Sequence, residues 1–318
     1  MSRTDVTART AVAAAPAQRA VLTTEVWLRI PSAAPGVLRV RPLPFEATAS
    51  YGQRLADTYQ LTLSQLLDGV GITLHGHGTL PAAELHLNHN AARRLAALAR
   101  FPLPHLTRAL PHLALPGDAH GTEAAAHWKR LEAEQQPVRA CTLCTRHRSH
   151  DATDTAWAHP APQRLVCPRD QQAAPDPRLT STVRTWAVPE LVAAHHAHQR
   201  LLRHPRALTA WTTARAITTR WYDHQQHLTH RWHTRLARLC AANPRLTTTG
   251  SASPALVTRD LVIYPETVTL ARALAALPNR PHRDTGKALT LIAHRLGLPR
   301  LASNANDPLS VFLTHTRH

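Results

Sequence analysis

Apolar positions recur at helical spacing along most of this chain, and the breaks between those runs divide it into segments. Residues 1–35 carry no sustained apolar period and are expected to form a disordered tail, with a short strand near residues 26–30. The stretch Arg41-Pro-Leu-Pro-Phe-Glu46 is extended, because its two prolines exclude a helix. Tyr51, Leu55 and Tyr59 then recur at helical spacing, with Thr48 or Ser50 placed to cap the run. Thr62 or Ser64 caps a second short helix carrying Leu63, Leu66, Leu67 and Val70, which stops around residues 69–71. Two short helices joined by a few residues form a helix-turn-helix. The pattern repeats: Asn88 or Asn90 caps a helix through residues 91–99, Pro102 and Pro104 make the turn, and residues 105–110 form another short helix. A polar helix anchored by Trp128 and Leu131 is expected over residues 121–136.

From residue 189 onward the apolar period is helical throughout. Leu191, Ala194, His198, Leu201 and Leu202 line one face; Leu208, Trp211, Ala214, Ile217/Thr218 and Trp221 line the next; Leu228, Trp232, Leu236 and Leu239 line a third. Tryptophans at this spacing are core residues rather than platforms for stacked bases. Beyond a Thr/Ser/Gly/Pro linker at 246–254, Pro265 is expected to open a helix with Leu270, Leu274 and Leu277 inward. A last helix over residues 287–296 precedes a polar C-terminus. The expected fold is mainly α. A tail (1–38) is followed by tandem helix-turn-helix hairpins (39–118), a small zinc-ribbon-like module (119–178), a basic helical bundle (179–300) and a loose tail (301–318).

Charge narrows the class of partner. Lys+Arg total 37 against 20 Asp+Glu, a formal net charge of +17. Lys129 and Lys287 are the only lysines, so the positive charge is almost all guanidinium, which forks a phosphate or a guanine edge better than an ammonium. A polyanion, nucleic acid first, is the expected partner. Between residues 184 and 238 nine arginines face only Glu190 and Asp223, and those opposite the apolar stripe can follow phosphate. No apolar run reaches the ~18 residues that a membrane span needs, so a cytoplasmic, nucleoid-associated protein is expected. Arg3, Arg9 and Arg19 in an Ala/Thr-rich start resemble a targeting segment superficially; a disordered tail is the reading taken.

Three of the four cysteines define the candidate chemistry. Cys141-Thr-Leu-Cys144 can present two thiolates from one knuckle, and Cys167, after 22 intervening residues, can close the far side. Structural zinc wants four ligands. Asp170, or one of His147, His150 and His159, supplies the fourth, and sequence alone leaves the choice open. A metal would replace the apolar core that so short a segment cannot build. Cys240 follows Leu236 and Leu239 and is expected to be a buried thiol. The strings His195-His196-Ala-His198 and His224-Gln-Gln-His227-Leu-Thr-His230-Arg-Trp-His233 invite a metal-enzyme reading, but no glutamate stands among them in a zinc-protease arrangement. No phosphate-binding glycine loop, serine triad or carboxylate cluster is legible, so a non-enzyme is expected.

Taken together, the Arg41–Glu46 lead-in, Arg54-Leu55-Ala56 on the first helix, the leucine-rich second helix, the repeat at 88–110, Cys141-x2-Cys144 and Cys167-Pro-Arg-Asp170 resemble the TniQ family of transposition target-selection proteins over about residues 41–170. In that family the last knuckle is typically Cys-Pro-x-His, so Asp170 stands at the histidine position and the second knuckle is degenerate. The region after 185 resembles the helical extension of actinobacterial members. The resemblance implies a DNA-recognition adaptor without chemistry of its own, which marks a target site and recruits an AAA+ ATPase regulator that activates a separate transposase. On that basis Arg54, Arg93, Arg94 and Arg108, carried on the hairpins, are candidate DNA contacts. The alternative is a stand-alone helix-turn-helix/zinc regulator with no transposition role.

Overall fold

The computed structural model describes residues 39–113, 123–161, 165–277, 285–301 and 306–315. The expected tail at 1–38 and the strand near 26–30 lie outside the described residues. The fold is mainly α, as the periodicity indicates.

The first helix pair is α1 (Thr48–Thr58) and α2 (Leu63–Gly69). Thr62 caps α2 through a reciprocal capping box with Gln65, whereas α1 begins at Ala47 with no side-chain cap. The second pair is α3 (His89–Ala99), capped by Asn88 on Ala91 N–H, and α4 (Leu103–Ala109). Between the pairs the chain departs from expectation. Strands β1 (Thr73–His75) and β2 (Ala83–Leu87) flank β3 (Ala125–Arg130), parallel to β1 and antiparallel to β2. The polar helix expected over 121–136 is therefore wrong: its centre is β3. The reason lies in a period of two, with Ala124 and Ala126 buried while His127 and Lys129 are exposed, completed by pairing with the fully buried β2. The hairpins are thus packed around a small sheet rather than strung directly in tandem. Leu55, Leu67, Leu85, Leu95 and Leu106 close this core.

The next segment is built from short pairings. Strand β4 (Val138–Arg139) pairs with β5 (Trp157–Ala158), and helix α5 (Thr142–Arg148) lies between them in sequence. The lead-in pairs back onto β5: Ala47 N–H donates to Trp157 O at 2.9 Å and His159 N–H to Phe45 O at 2.7 Å. Strands β6 (Val166–Cys167), β7 (Gln172–Ala173) and β8 (Val183–Arg184) form an antiparallel sheet.

The helical body follows: α6 (Glu190–Leu201), α7 (Ala207–Asp223), α8 (Thr229–Ala242), a short α9 (Pro254–Val257), α10 (Arg259–Ala276), α11 (Thr285–Arg295) and α12 (Pro308–His315). Its core takes in Val166 and Ala173 as well, so packing continues across residues 178/179. Trp211, Trp221 and Trp232 are all buried, as their spacing predicts. Four expectations fail. Leu202 and Leu208, expected on apolar faces, are exposed near the ends of their helices. Pro265 does not open a helix but lies inside α10, whose flanks bury Val262, Ile263, Tyr264 and Val268. Arg235 donates to the Val262 carbonyl beside the break and to both oxygens of Glu266, at 2.8 and 3.0 Å, so the turn loosened by the proline is satisfied from α8. The loose tail is also incorrect over its described part, since α12 buries Leu309 and Leu313. Cys240 is half-buried rather than buried.

One carboxylate holds α12. Asp307 Oδ1 accepts the N–H groups of Leu309 and Ser310, each at 3.0 Å, while Oδ2 accepts Trp221 Nε1–H at 2.8 Å and lies 2.7 Å from His227 Nε2. Burial opposes its ionisation, but hydrogen bonds from His227, Ser310 N–H and Trp221 outweigh it and hold Asp307 below the ordinary carboxylate value. A depressed folded-state pKa adds stability that is complete above the ordinary value and lost as pH falls through the folded one. Asp307→Ala is expected to cost about 2–3 kcal/mol at pH 7, measured by urea denaturation, and the gap from the parent protein should close as pH falls below the carboxylate range. An unchanged gap at low pH would exclude Asp307 ionisation as its source.

Candidate metal centre and arginine surfaces

The knuckles converge because two short elements end at the same place. Cys141 caps α5 and Cys144 lies in its first turn, while Cys167 ends β6 and the turn to β7 carries Asp170. Gln172 joins the halves: its Oε1 accepts Thr142 N–H at 3.2 Å, Thr142 Oγ1–H at 3.0 Å and Thr182 Oγ1–H at 3.1 Å.

The ligand atoms of Cys141, Cys144, Cys167 and Asp170 all lie within 4.8 Å of one another, and all four residues are half-buried. Asp170 Oδ2 sits 3.1 Å from Cys141 Sγ, 3.0 Å from Cys144 Sγ and 3.6 Å from Cys167 Sγ; Cys144 and Cys167 Sγ are 3.8 Å apart. A tetrahedron with Zn–S near 2.3 Å has an S···S edge of about 3.8 Å, and a mixed S···O edge of about 3.5 Å. The donor set fits a structural zinc in chemistry; the Cys144–Cys167 and Cys167–Asp170 separations match those edges, while Asp170 Oδ2 lies closer to Cys141 and Cys144, at hydrogen-bond distance. Hydrogen bonds from Cys141 and then Cys144 push the Cys167 thiol below its ordinary value, while bonding to Cys144 and Cys167 raises Cys141. Thiols this crowded cannot all ionise alone, and a cation among them is what would let them do so.

The histidines weighed as fourth ligand are engaged elsewhere. His159 Nε2 lies 2.7 Å from Glu84 Oε2, His150 Nε2 lies 3.3 Å from the Arg39 carbonyl, and His147 is exposed on α5. Asp170 alone among the four candidates meets the sulfurs. The histidine strings do not form a second centre among the described residues. His198 is buried, stacks on Trp211 at 4.1 Å and lies 3.0 Å from Tyr264 OH. Burial, then the neighbouring His195, lowers its pKa to about 4, so it is a neutral core residue at pH 7.

The four candidate DNA contacts separate into two kinds. Arg54 is fully buried: its Nε lies 2.7 Å from Glu46 Oε1, Nη2 donates to Glu46 Oε2 at 2.8 Å, and Nη1 donates to Ser149 Oγ at 2.9 Å. That corrects its assignment, because a guanidinium sealed on a carboxylate cannot meet phosphate. Arg94 is half-buried and donates to the Gly71 carbonyl at 2.6 Å. Arg93 on α3 and Arg108 at the last turn of α4 are exposed. One exposed ring escaped the sequence reading: Trp186, outside any helical period, is 61% exposed. Its alternation with buried Val183 and Thr185 was the available signal.

No helix among the described residues is long and apolar enough to cross a membrane. Comparison with curated proteins and with solved structures found no match. The TniQ family model matches residues 37–173, from the Arg41–Glu46 lead-in through both helix pairs and all four cluster residues. The match takes in somewhat less than half of the chain, and over that region the chain is similar to the TniQ family, a family of transposition-associated DNA-binding adaptors.

Proposed function

We propose that this protein is a targeting adaptor that binds DNA, marks a transposition site and recruits an AAA+ ATPase regulator and through it a transposase, with no chemistry of its own. The observation that carries the reading is the TniQ region itself, with its two helix pairs arranged around a small sheet and its knuckles converging on one point. Zinc held by Cys141, Cys144, Cys167 and Asp170 acts as a structural pin: it charges no substrate and fixes α5 against the β6–β7 turn. Arg93 and Arg108 face solvent and meet phosphate, and the +17 formal charge draws the duplex in.

The reading is tested by binding of a labelled duplex at a series of salt concentrations. Affinity should fall steeply, with log–log slope near −0.9 per phosphate contact, and Arg93→Ala and Arg108→Ala should each make the slope shallower by about 1. A flat salt response overturns direct DNA binding. Pull-down of an ATPase and a transposase encoded beside the gene separates the adaptor from a stand-alone regulator.

A further inference from the structure

The arginine-rich surface of the helical body has a definite geometry where the β8 segment meets the end of α8. Asn243, the C-terminal cap of α8, accepts Arg184 N–H on Oδ1 at 2.8 Å and returns a hydrogen bond from Nδ2 to the Arg184 carbonyl at 2.9 Å. Further along, Thr180 N–H donates to Thr247 O at 3.2 Å, and Leu179 bridges Thr248. Residues 179–184 and 243–248 therefore run side by side. Arg245 lies two residues from Asn243, within about 7 Å along the chain. Arg238 lies five residues earlier, about 7.5 Å along the helix. Arg184, Arg238 and Arg245 are all exposed. Residues 178–189 and 229–249 contain six arginines; Arg178 pairs with Asp176, and Arg231 and Arg235 with Glu266, so the surface charge rests on Arg184, Arg238 and Arg245.

Trp186 follows Arg184 by two residues and is exposed beside this pairing. Its neighbours fix it: Thr185 is buried and donates its N–H to Gln171 O at 2.8 Å, and Val188 N–H returns to Thr185 O at 2.9 Å. Arg184 and Trp186 are exposed while Val183 and Thr185 are buried, so both side chains leave toward solvent on either side of the anchored Thr185. A large indole held on an anchored turn and left in water is a costly arrangement for a soluble body, and such rings mark contact surfaces. Three exposed arginines near an exposed aromatic match a strand of nucleic acid: guanidinium to phosphate and ring to base.

We infer that Arg184, Trp186, Arg238 and Arg245 form a second nucleic-acid contact, in which the arginines hold the backbone and Trp186 stacks on a base that has left the duplex stack. The inference rests on the DNA-binding reading above and extends it to DNA that is locally opened. Arg184 also lies in register with Gln172, which lies in register with Cys167, so the candidate metal centre and this platform share one small sheet.

The experiment compares two labelled probes, a fully paired duplex and the same duplex with a central run of unpaired thymines. Trp186→Ala should weaken binding to the opened probe by about 5- to 100-fold and barely affect the paired one, and Trp186→Phe should recover most of the loss. Arg184→Ala and Arg238→Ala should weaken both probes and each reduce the salt slope by about 1. All these side chains are exposed, so far-ultraviolet circular dichroism should be unchanged. If these variants bind both probes like the parent protein while Arg93→Ala and Arg108→Ala lose affinity, the second contact is overturned and the adaptor reading stands. If the parent protein binds neither probe, the DNA-binding reading falls first and the platform with it.

Discussion

Replacing Arg54 by alanine should destabilise the TniQ region by about 3–5 kcal/mol, because it strands a carboxylate in the core. Glu46 and Arg54 are both fully buried and joined through two parallel N–H···O contacts. The remaining acceptor capacity of Glu46 is filled by Leu43 N–H at 2.8 Å and Ser50 Oγ–H at 3.2 Å. Arg54 also reaches the Arg41 carbonyl at 3.0 Å and Ser149 at the end of α5, so one guanidinium ties the lead-in, α1 and the metal module together. Losing several kcal/mol is a large fraction of the 5–15 kcal/mol that holds a typical domain. The pair Arg54→Met with Glu46→Leu should be less damaging than either charge deletion alone, since it removes both ions from the apolar interior. Urea denaturation of the four proteins measures the cycle. If Arg54→Ala is as stable as the parent but binds DNA more weakly, the buried-pair role is wrong and a phosphate role returns.

The helices were legible because their apolar periods are long and their caps are explicit, as at Thr62 and Asn88. The small sheet was not, because β1 and β3 pair across some fifty residues and β2 is buried on both faces, so its run Ala-Glu-Leu-His-Leu shows no one-sided pattern. Arg54 was misassigned for a related reason. A basic residue on a helix reads as solvent-facing unless its partner is known, and Glu46 is eight positions away in an extended lead-in. The knuckle was legible in spacing, but the choice between Asp170 and three histidines depended on where Glu84 and the Arg39 carbonyl draw His159 and His150. Trp186 shows the limit from the other side: an alternation only four residues long, Val183 to Trp186, is too short to place a ring in core or solvent.

The largest effect is expected at the cysteine cluster. Purified protein should hold stoichiometric zinc, and Cys141→Ser should abolish it, because three oxygens and sulfurs with one weak donor no longer complete a closed site. Apparent zinc-binding free energies in small finger modules reach about 10–16 kcal/mol, so whatever part of that energy stabilises the fold here is lost with the ion. The β4–β5 and β6–β7 pairings are only two residues long on each strand, and outside the cluster itself the knuckles are joined by the side-chain hydrogen bonds of Gln172 to Thr142. Protease cleavage should therefore appear between residues 138 and 175, while α6–α11, closed by Trp221, Trp232, Leu261 and Ile292, stay protected. Asp170→His should slow zinc loss to a chelator, since imidazole nitrogen is a better structural ligand than a carboxylate oxygen. Elemental analysis with thiol titration and limited proteolysis reads all three proteins. Metal-free protein with three freely titrating thiols and an unchanged cleavage pattern would reduce the cluster to packing. Because Cys167, Gln172 and Arg184 are registered across one sheet, chelation should also weaken DNA binding through the Arg184–Trp186 surface, and a metal-free protein with undiminished affinity would uncouple the two.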